Sequence, residues 1–372
     1  MKDTVTILCS GFGLGFYVPG LLIERALKVL GIKAEVEVFE TLMFEDKKKT
    51  TDNSRKAYRE NFAVALTSQK IPGDIRNSLD PTVVKALFER WRGEGRQHFI
   101  TLSGHWVHVL DMYRETAAYE VLADLLYIDA DLSPSWKNLR RLNPGYAQGY
   151  HEVNMYDLVN RKVLCRIDTG IEPLPMPARN GRLVVHGGGW GIGTFREKFA
   201  ELEAAGYLLD IAAYSNEEIG EEIHGRHYYM NDPQWRTWLR DSSGHYSFPP
   251  FAKVSGSGEN RFPPCQNYPE GMYGVIRQAS AVISKPGGGA LVDSLSSGTP
   301  LVLLDPFGPH EQINSDLWVG LGFGIRYEEW KQAGFDRELL RRLSENILTS
   351  RERYPDYAKS YAERLYAAEG RS

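Results

Sequence analysis

The stretch from Ala281 to Ser315, AVISKPGGGALVDSLSSGTPLVLLDPFGPHEQINS, admits few folds. Val282 and Ile283 close a short β-branched run of the kind that forms a buried parallel strand. Lys285-Pro286-Gly287-Gly288-Gly289 then interrupts regular structure, and its glycines let a ligand come close to the backbone. From Ala290, Leu291, Val292 and Leu295 recur on one side of a helix, which Gly298 stops and Pro300 keeps from resuming. Leu301 to Leu304 reads as the next buried strand, and Asp305 to Gln312 as a loop at its carboxyl end. Strand, glycine loop and helix N-terminus together make an anion site, because free N–H groups and the helix dipole both favour phosphate. Lys285 adds a point charge. Asp293, read in the first helical turn, is set either to accept from a ribose hydroxyl or to complement the dipole.

The same device recurs twice. Val5 to Cys9 runs into Gly11-Phe12-Gly13-Leu14-Gly15, then a helix with Pro19 that ends near Leu30 at Gly31, then a second strand from Ala34 to Phe39. This is a βαβ unit and predicts a parallel sheet. A dinucleotide fingerprint would need glycine where Phe16 stands, although Glu40 imitates its ribose acid. Leu183 to Val185 leads into His186-Gly187-Gly188-Gly189-Trp190-Gly191 and a helix to about Ala205, with Ile192 at the third fingerprint glycine. Leu208 to Ala213 continues the alternation. Between the halves, prolines at 173, 175 and 177 make an extended linker from Thr169 to Arg182. Residues 224–262, rich in Tyr, Trp, Pro, Gly and Ser, read as an irregular insertion or mobile flap. After Gly324 the pattern is helical to the end.

The 281–315 run resembles the donor-binding signature of GT-B nucleotide-sugar glycosyltransferases. The nearest groups are the lipid II-forming N-acetylglucosaminyltransferase, the monogalactosyldiacylglycerol synthases and the UDP-glycosyltransferases. The resemblance implies an α/β, GT-B fold: two Rossmann-like parallel-sheet domains facing a cleft, with a carboxyl-terminal helix crossing back to the first domain. The corresponding division is an acceptor-binding domain at 1–170, a nucleotide-sugar-binding domain at 171–350 and a crossing helix at 351–372. It implies diphosphate contact for Lys285 and the glycines Gly287, Gly288 and Gly289, ribose contact for Asp293 and sugar-hydroxyl contacts for Glu311 and Gln312. Gly188 and Gly189 would lie over the donor phosphates, Gly13 and Gly15 would border them, and Asn267-Tyr268-Pro269 with Met272 would border the nucleobase. The implied reaction moves a sugar from a nucleotide-diphospho-sugar, UDP-linked, to a hydroxyl or amine, with inversion and without metal or cofactor. A UDP-sugar 2-epimerase of the same fold and a non-catalytic nucleotide-sugar-binding subunit are the alternatives.

The chain departs from the pattern at two positions. Asp293 is shorter than the glutamate of the signature, and Phe16 replaces the histidine that serves as base in the amino-terminal loop. His105, in the strand-end loop Ser103-Gly104-His105-Trp106, is the replacement read here, with Asp111 to orient its ring and Asp129 as the reserve base. Asp129-Ala130-Asp131 also imitates a metal-binding D-x-D, against which the metal-free donor signature argues.

The 372-residue chain is long enough for two full cores, and a net charge of −4 gives no reason to expect a nucleic-acid partner. Cys9, Cys165 and Cys265 are an odd, scattered set, read as reduced thiols of a cytoplasmic protein. The amino terminus reads as a strand rather than a signal peptide, and no apolar run approaches membrane-span length. Residues 41–97 read as solvated helices. Their basic run at 47–49 keeps a peripheral anionic membrane or acceptor surface in view. The partners expected are the nucleotide sugar and a small-molecule acceptor, with acceptor identity and oligomeric state left open at this level.

Overall fold

The computed structural model describes residues 4–68, 74–220, 225–256, 260–264, 270–368 and 370. In the amino-terminal half the strands are β1 (Val5–Cys9), β2 (Ala34–Val38), β3 (His98–Thr101), β4 (Leu122–Tyr127) and β5 (His151–Asn154). Between and after them lie α1 (Leu14–Val29), α2 (Glu45–Glu60), α3 (Phe62–Ser68), α4 (Pro81–Gly93), α5 (Val107–Thr116) and α6 (Pro134–Leu142). The strands form one parallel sheet in the order β2-β1-β3-β4-β5. A short antiparallel pair follows, β6 (Tyr156–Asp157) and β7 (Lys162–Val163).

The carboxyl-terminal half contributes β8 (Leu183–Val185), α7 (Phe199–Ala204), β9 (Leu209–Ala213), β10 (Arg226–Asn231) and β11 (Phe251–Val254). Next come α8 (Met272–Gln278), β12 (Ala281–Ser284), α9 (Gly288–Ser297), β13 (Leu301–Leu303), α10 (Pro309–Gly320) and β14 (Gly324–Arg326). Helices α11 (Tyr327–Gln332), α12 (Arg337–Arg351) and α13 (Tyr357–Ala368) end the chain. The second sheet runs β11-β10-β9-β8-β12-β13-β14, parallel except for the edge strand β11. Strands β1, β8 and β12 are buried at every residue, as a parallel sheet covered by helices on both faces requires.

In both sheets the first strand lies inside the order. The chain builds outward on one side of β1 and β8 and then returns to the other side. That reversal leaves a crevice at the carboxyl ends of the strands, where open α/β sheets take their ligands. The loops after β1, β8 and β12 all open there, and all three are the glycine loops.

Three of the contacts that tie the halves together among the described residues bear on the cleft. Helix α13 packs on α1, and the Tyr366 hydroxyl donates to the Leu30 carbonyl at 3.0 Å. Residues 232–250 leave the second sheet and dock on the first half: the Tyr17 hydroxyl donates to the Ser247 carbonyl at 2.8 Å, and Arg236 pairs with Asp52 at 3.0 Å. The third tie is a single amide. Asn314, fully buried on α10, accepts from the Ala130 N–H at 2.7 Å and donates to Asp129 and to the Pro286 carbonyl, each at 2.8 Å.

The structure corrects the element reading in several places. Within the described part of 224–262 the irregular insertion is confined to residues 232–250: β10 and β11 on either side complete the second sheet, because Tyr228 and Met230 alternate inward and bury apolar surface. Asp305 to Gln312 is not one loop, since Pro309 opens α10 at a position where its missing N–H costs nothing. Gly324–Arg326 is a strand rather than helix. Cys265 and Asn267-Tyr268-Pro269 lie outside the described residues, whereas Cys9 and Cys165 are buried free thiols. No helix of the described residues is long and apolar enough to cross a membrane.

Asn314→Leu keeps the bulk but strands the Ala130 N–H and the Pro286 carbonyl in the interior. It should lower unfolding free energy by roughly 2–4 kcal/mol, read from urea unfolding. An unchanged midpoint would mean that this amide does not tie the halves together.

Candidate functional site

The cleft between the sheets holds a cavity of about 440 Å³ whose walls come from both halves. Its floor is set by glycine. A β-carbon on Gly289 would stand 3.1 Å from the Gly15 Cα, and one on Gly189 would stand 2.9 Å from the Leu14 nitrogen. The starts of α1 and α9 therefore meet at backbone distance. Each helix is preceded by a glycine, Gly13 or Gly287, without a side-chain cap, and neither has an acid in its first turn. Their first N–H groups and the positive ends of their dipoles face the same space.

Around that floor stand the charged groups. Lys285 follows β12 and donates to Glu311, whose other oxygen accepts from the Phe307 N–H at 2.7 Å. The Glu311 side chain is 3% exposed and that of Lys285 is 13% exposed, so this pair is largely out of water. An ammonium has three donors, which leaves Lys285 capacity for a ligand oxygen.

His186 follows β8, the strand next to β12, at the position that mirrors Lys285. Its Nδ1 accepts from the Gly188 N–H at 2.9 Å, which assigns the neutral ring's proton to Nε2. Nε2 is buried and has no hydrogen-bond partner among the described residues, and the residue lines the cleft. Burial, reinforced by Lys285, lowers its pKa to about 4. His186 is thus a neutral donor in the wall of this cleft. Its place directly before the second glycine run is the sequence signal that points to it.

Gly13, Gly15, Gly188, Gly189, Lys285, Gly287, Gly288, Gly289, Asp293 and Glu311 line this one cavity, together with His105 and Asp129. Asp293 sits in the second turn of α9, not the first, because the helix begins at Gly288. Two expected residues do not join them. Gln312 is exposed and donates to Asp316 at 2.9 Å: one residue past the inward-facing Glu311, a helix has turned its side chain away. Asp111 does not orient His105 either. It accepts from the Tyr150 hydroxyl at 2.7 Å, and among the described residues no hydrogen bond joins it to the His105 ring.

The His105 ring packs instead against Phe12 and Phe39, each 5.3 Å between centroids, and burial lowers its pKa to about 4. Asp129 lies early in the strand-to-helix turn between β4 and α6, against the start of α9. A β-carbon on Gly288 would be 2.8 Å from its Oδ1. Burial raises its pKa, Glu311 adds to the rise, and His310, Asn314 and Lys285 oppose it. Asp131 points elsewhere and pairs with Lys137 at 2.6 Å, so the two acids do not act as a D-x-D pair. Glu40, the imitation of a ribose acid, is buried beneath the first glycine loop and accepts from the Gly11 N–H at 2.8 Å and the Ser10 hydroxyl at 3.1 Å. Its role is to hold that loop.

Two parallel sheets opposed across a cleft, with glycine loops at both switch points and a crossing terminal helix, define the GT-B fold. Comparison with solved structures gives the same fold. The chain is similar to the glycosyltransferase SnogD from Streptomyces nogalater, at 13% identity and TM-score 0.56 over 99% of this chain and 100% of that one. It is similar to glycosyltransferase VinC in complex with dTDP, at 10% identity and TM-score 0.55 over 98% and 99%. It is also similar to Arabidopsis thaliana UGT89C1 complexed with UDP, at 13% identity and TM-score 0.51 over 98% and 99%. No protein-family model matches the sequence, and no curated protein matches it.

Two outcomes test these electrostatics. Lys285→Met leaves Glu311 buried without its cation and should cost roughly 3 kcal/mol of stability. Adding Glu311→Gln should recover much of that loss in a double-mutant cycle, and purely additive effects would dissolve the pair. His186 binds a proton near pH 6.5 when unfolded but only near 4 when folded, so its contribution is complete above pH 6.5 and lost as pH falls toward 4. The loss should be on the order of 3 kcal/mol. His186→Gln should flatten urea-unfolding stability against pH across that window, and an unaltered slope would refute a buried neutral ring.

Proposed function

We propose that the protein is a glycosyltransferase that moves a sugar from a nucleotide-diphospho-sugar, UDP-linked, to a hydroxyl or amine of a small acceptor. The observation that carries this reading is the meeting of two uncapped helix N-termini, Lys285 and the Nε2–H of His186 in one cleft between two sheets. That set has the positive poles of two helix dipoles and unspent donors, and a diphosphate supplies the matching negative oxygens. The likeness to glycosyltransferases solved with UDP and dTDP supports the same reading.

In this mechanism Lys285, His186 and the N–H groups at the start of α9 stabilise the departing diphosphate, so no divalent ion is required. Asp293 takes the ribose, and Glu311 fixes Lys285 while bordering the sugar. The base removes the acceptor proton as the sugar is displaced with inversion. Of the two bases read from the sequence, the geometry favours Asp129 over His105. Asp129 lies beside the phosphate-binding helix and is made more basic by burial, whereas burial makes His105 a poor proton acceptor.

Calorimetric titration should give UDP binding that Lys285→Ala weakens by about 2 kcal/mol. Asp129→Asn should not weaken that binding, since it removes a negative charge beside α9, and should lower kcat by roughly 10²–10⁴-fold, while His105→Ala should stay within tenfold of wild type. The opposite ranking of the two variants would return the proton to His105, and failure to bind any nucleoside diphosphate would remove the reading altogether.

A further inference from the structure

A second cavity, of about 320 Å³, opens beyond the glycine turn that follows β8. Arg55 and Arg59 of α2 form one wall, Trp190 another, and Trp235, Arg236 and Thr237 a third. It meets the donor cleft at Leu14, Gly189 and Trp190, which line both spaces.

The polar groups on these walls are out of balance. Arg59 donates to the Tyr214 carbonyl at 2.8 Å and pairs with Glu218 at 3.4 Å, and Arg236 pairs with Asp52 at 3.0 Å. Arg55 is not committed in this way. Among the described residues its guanidinium makes no hydrogen bond, its nearest carboxylate oxygen is 4.0 Å away on Asp52, and it lies 5.4 Å over the Trp190 ring. Among the described residues Arg55 Nε is buried without a hydrogen-bond partner. The Thr237 hydroxyl, also without one, is packed against Gly11 rather than turned to the cavity. An unmet guanidinium is costly in a protein interior, and Arg55 on this wall describes what is missing from the cavity. The complement is a group rich in acceptor oxygens, and a guanidinium selects one with negative charge.

We propose that this cavity receives an oxyanion, a carboxylate or phosphate, carried by the molecule that is glycosylated. Arg55 is its countercharge, and the faces of Trp190 and Trp235 hold the carbon skeleton. The inference rests on the glycosyl-transfer reading and deepens it, because it gives the acceptor an acidic group. The wall that bears Arg55 belongs to the amino-terminal half, across the cleft from Lys285, which favours the acceptor as the source. A uronate carboxylate on the donor sugar has the same chemistry and is separated by experiment.

The test uses the full chain saturated with UDP, so that the diphosphate site is filled, and titrates phenyl phosphate by calorimetry with benzyl alcohol as the neutral control. Phenyl phosphate should bind and benzyl alcohol should not. Arg55→Gln should weaken phenyl phosphate at least tenfold, Arg55→Lys should weaken it less, and UDP affinity should be the same in all three proteins, which also certifies that they are folded. Equal phenyl phosphate affinity in wild type and Arg55→Gln, or no binding to the UDP-saturated wild type, overturns the proposal. A preference for UDP-glucuronate over UDP-glucose that Arg55→Gln abolishes overturns the acceptor assignment by giving the oxyanion to the donor sugar. Loss of UDP binding in wild type, with phenyl phosphate still dependent on Arg55, sinks the donor reading and upholds the oxyanion cavity.

Discussion

Two helix N-termini of the same electrostatic sign face each other at backbone distance, and the rest of the cleft follows from that contact. Like poles repel, and the starts of α1 and α9 have neither a side-chain cap nor a first-turn acid to offset them. Gly289 permits the approach, since a β-carbon on it would stand 3.1 Å from the Gly15 Cα. The ties elsewhere in the molecule hold the arrangement against its own repulsion: α13 on α1, residues 232–250 on the first half, and Asn314 between the two. Part of that repulsion is offset from the first half, because the Asp129 carboxylate lies against the start of α9.

Much of this was legible in the sequence because glycine runs after β-branched strands are unambiguous. β1 and β8 fall where the apolar runs predict them, and the glycine loops, Lys285, Asp293 and Glu311 converge on one cavity as the signature implies. What the sequence hid was direction. Glu311 and Gln312 are neighbours in a motif, but the start of α10 at Pro309 turns one inward and the other to solvent. His105 and Asp111 are close in sequence, yet Tyr150, which is remote in sequence, takes the carboxylate and two phenylalanines take the ring. Such outcomes depend on tertiary neighbours that local spacing does not encode.

The polar helix α2 shows the same limit from the other side. It buries none of its residues fully and reads as a solvated surface. One stripe nonetheless faces the second half: Asp52 pairs with Arg236, Tyr58 stacks on Trp190 at 6.0 Å, and Arg59 reaches the Tyr214 carbonyl. Asp52, Arg55 over the Trp190 ring and Arg59 are spaced three and four apart on this face, but the contacts are polar and aromatic, so they leave no apolar periodicity for a sequence reading to detect. This helix lies within residues 41–165, which carry almost no likeness to the donor signature.

The arrangement of acids around Lys285 explains why a carboxylate is tolerable beside an anion site. Glu311 is already neutralised by Lys285 and by the Phe307 N–H, so its charge does not oppose a diphosphate. Asp129 is held by Asn314 on one oxygen, and burial favours its protonated form. In the proposed mechanism, a diphosphate arriving at α9 adds negative charge nearby and pushes Asp129 further in that direction, which raises its basicity when the donor is in place. When the diphosphate leaves, that push weakens, and the proton taken from the acceptor is more easily released to water. The same electrostatic term that draws the donor into the cleft thereby couples proton affinity to donor occupancy, through a carboxylate anchored in the opposite half by one buried amide.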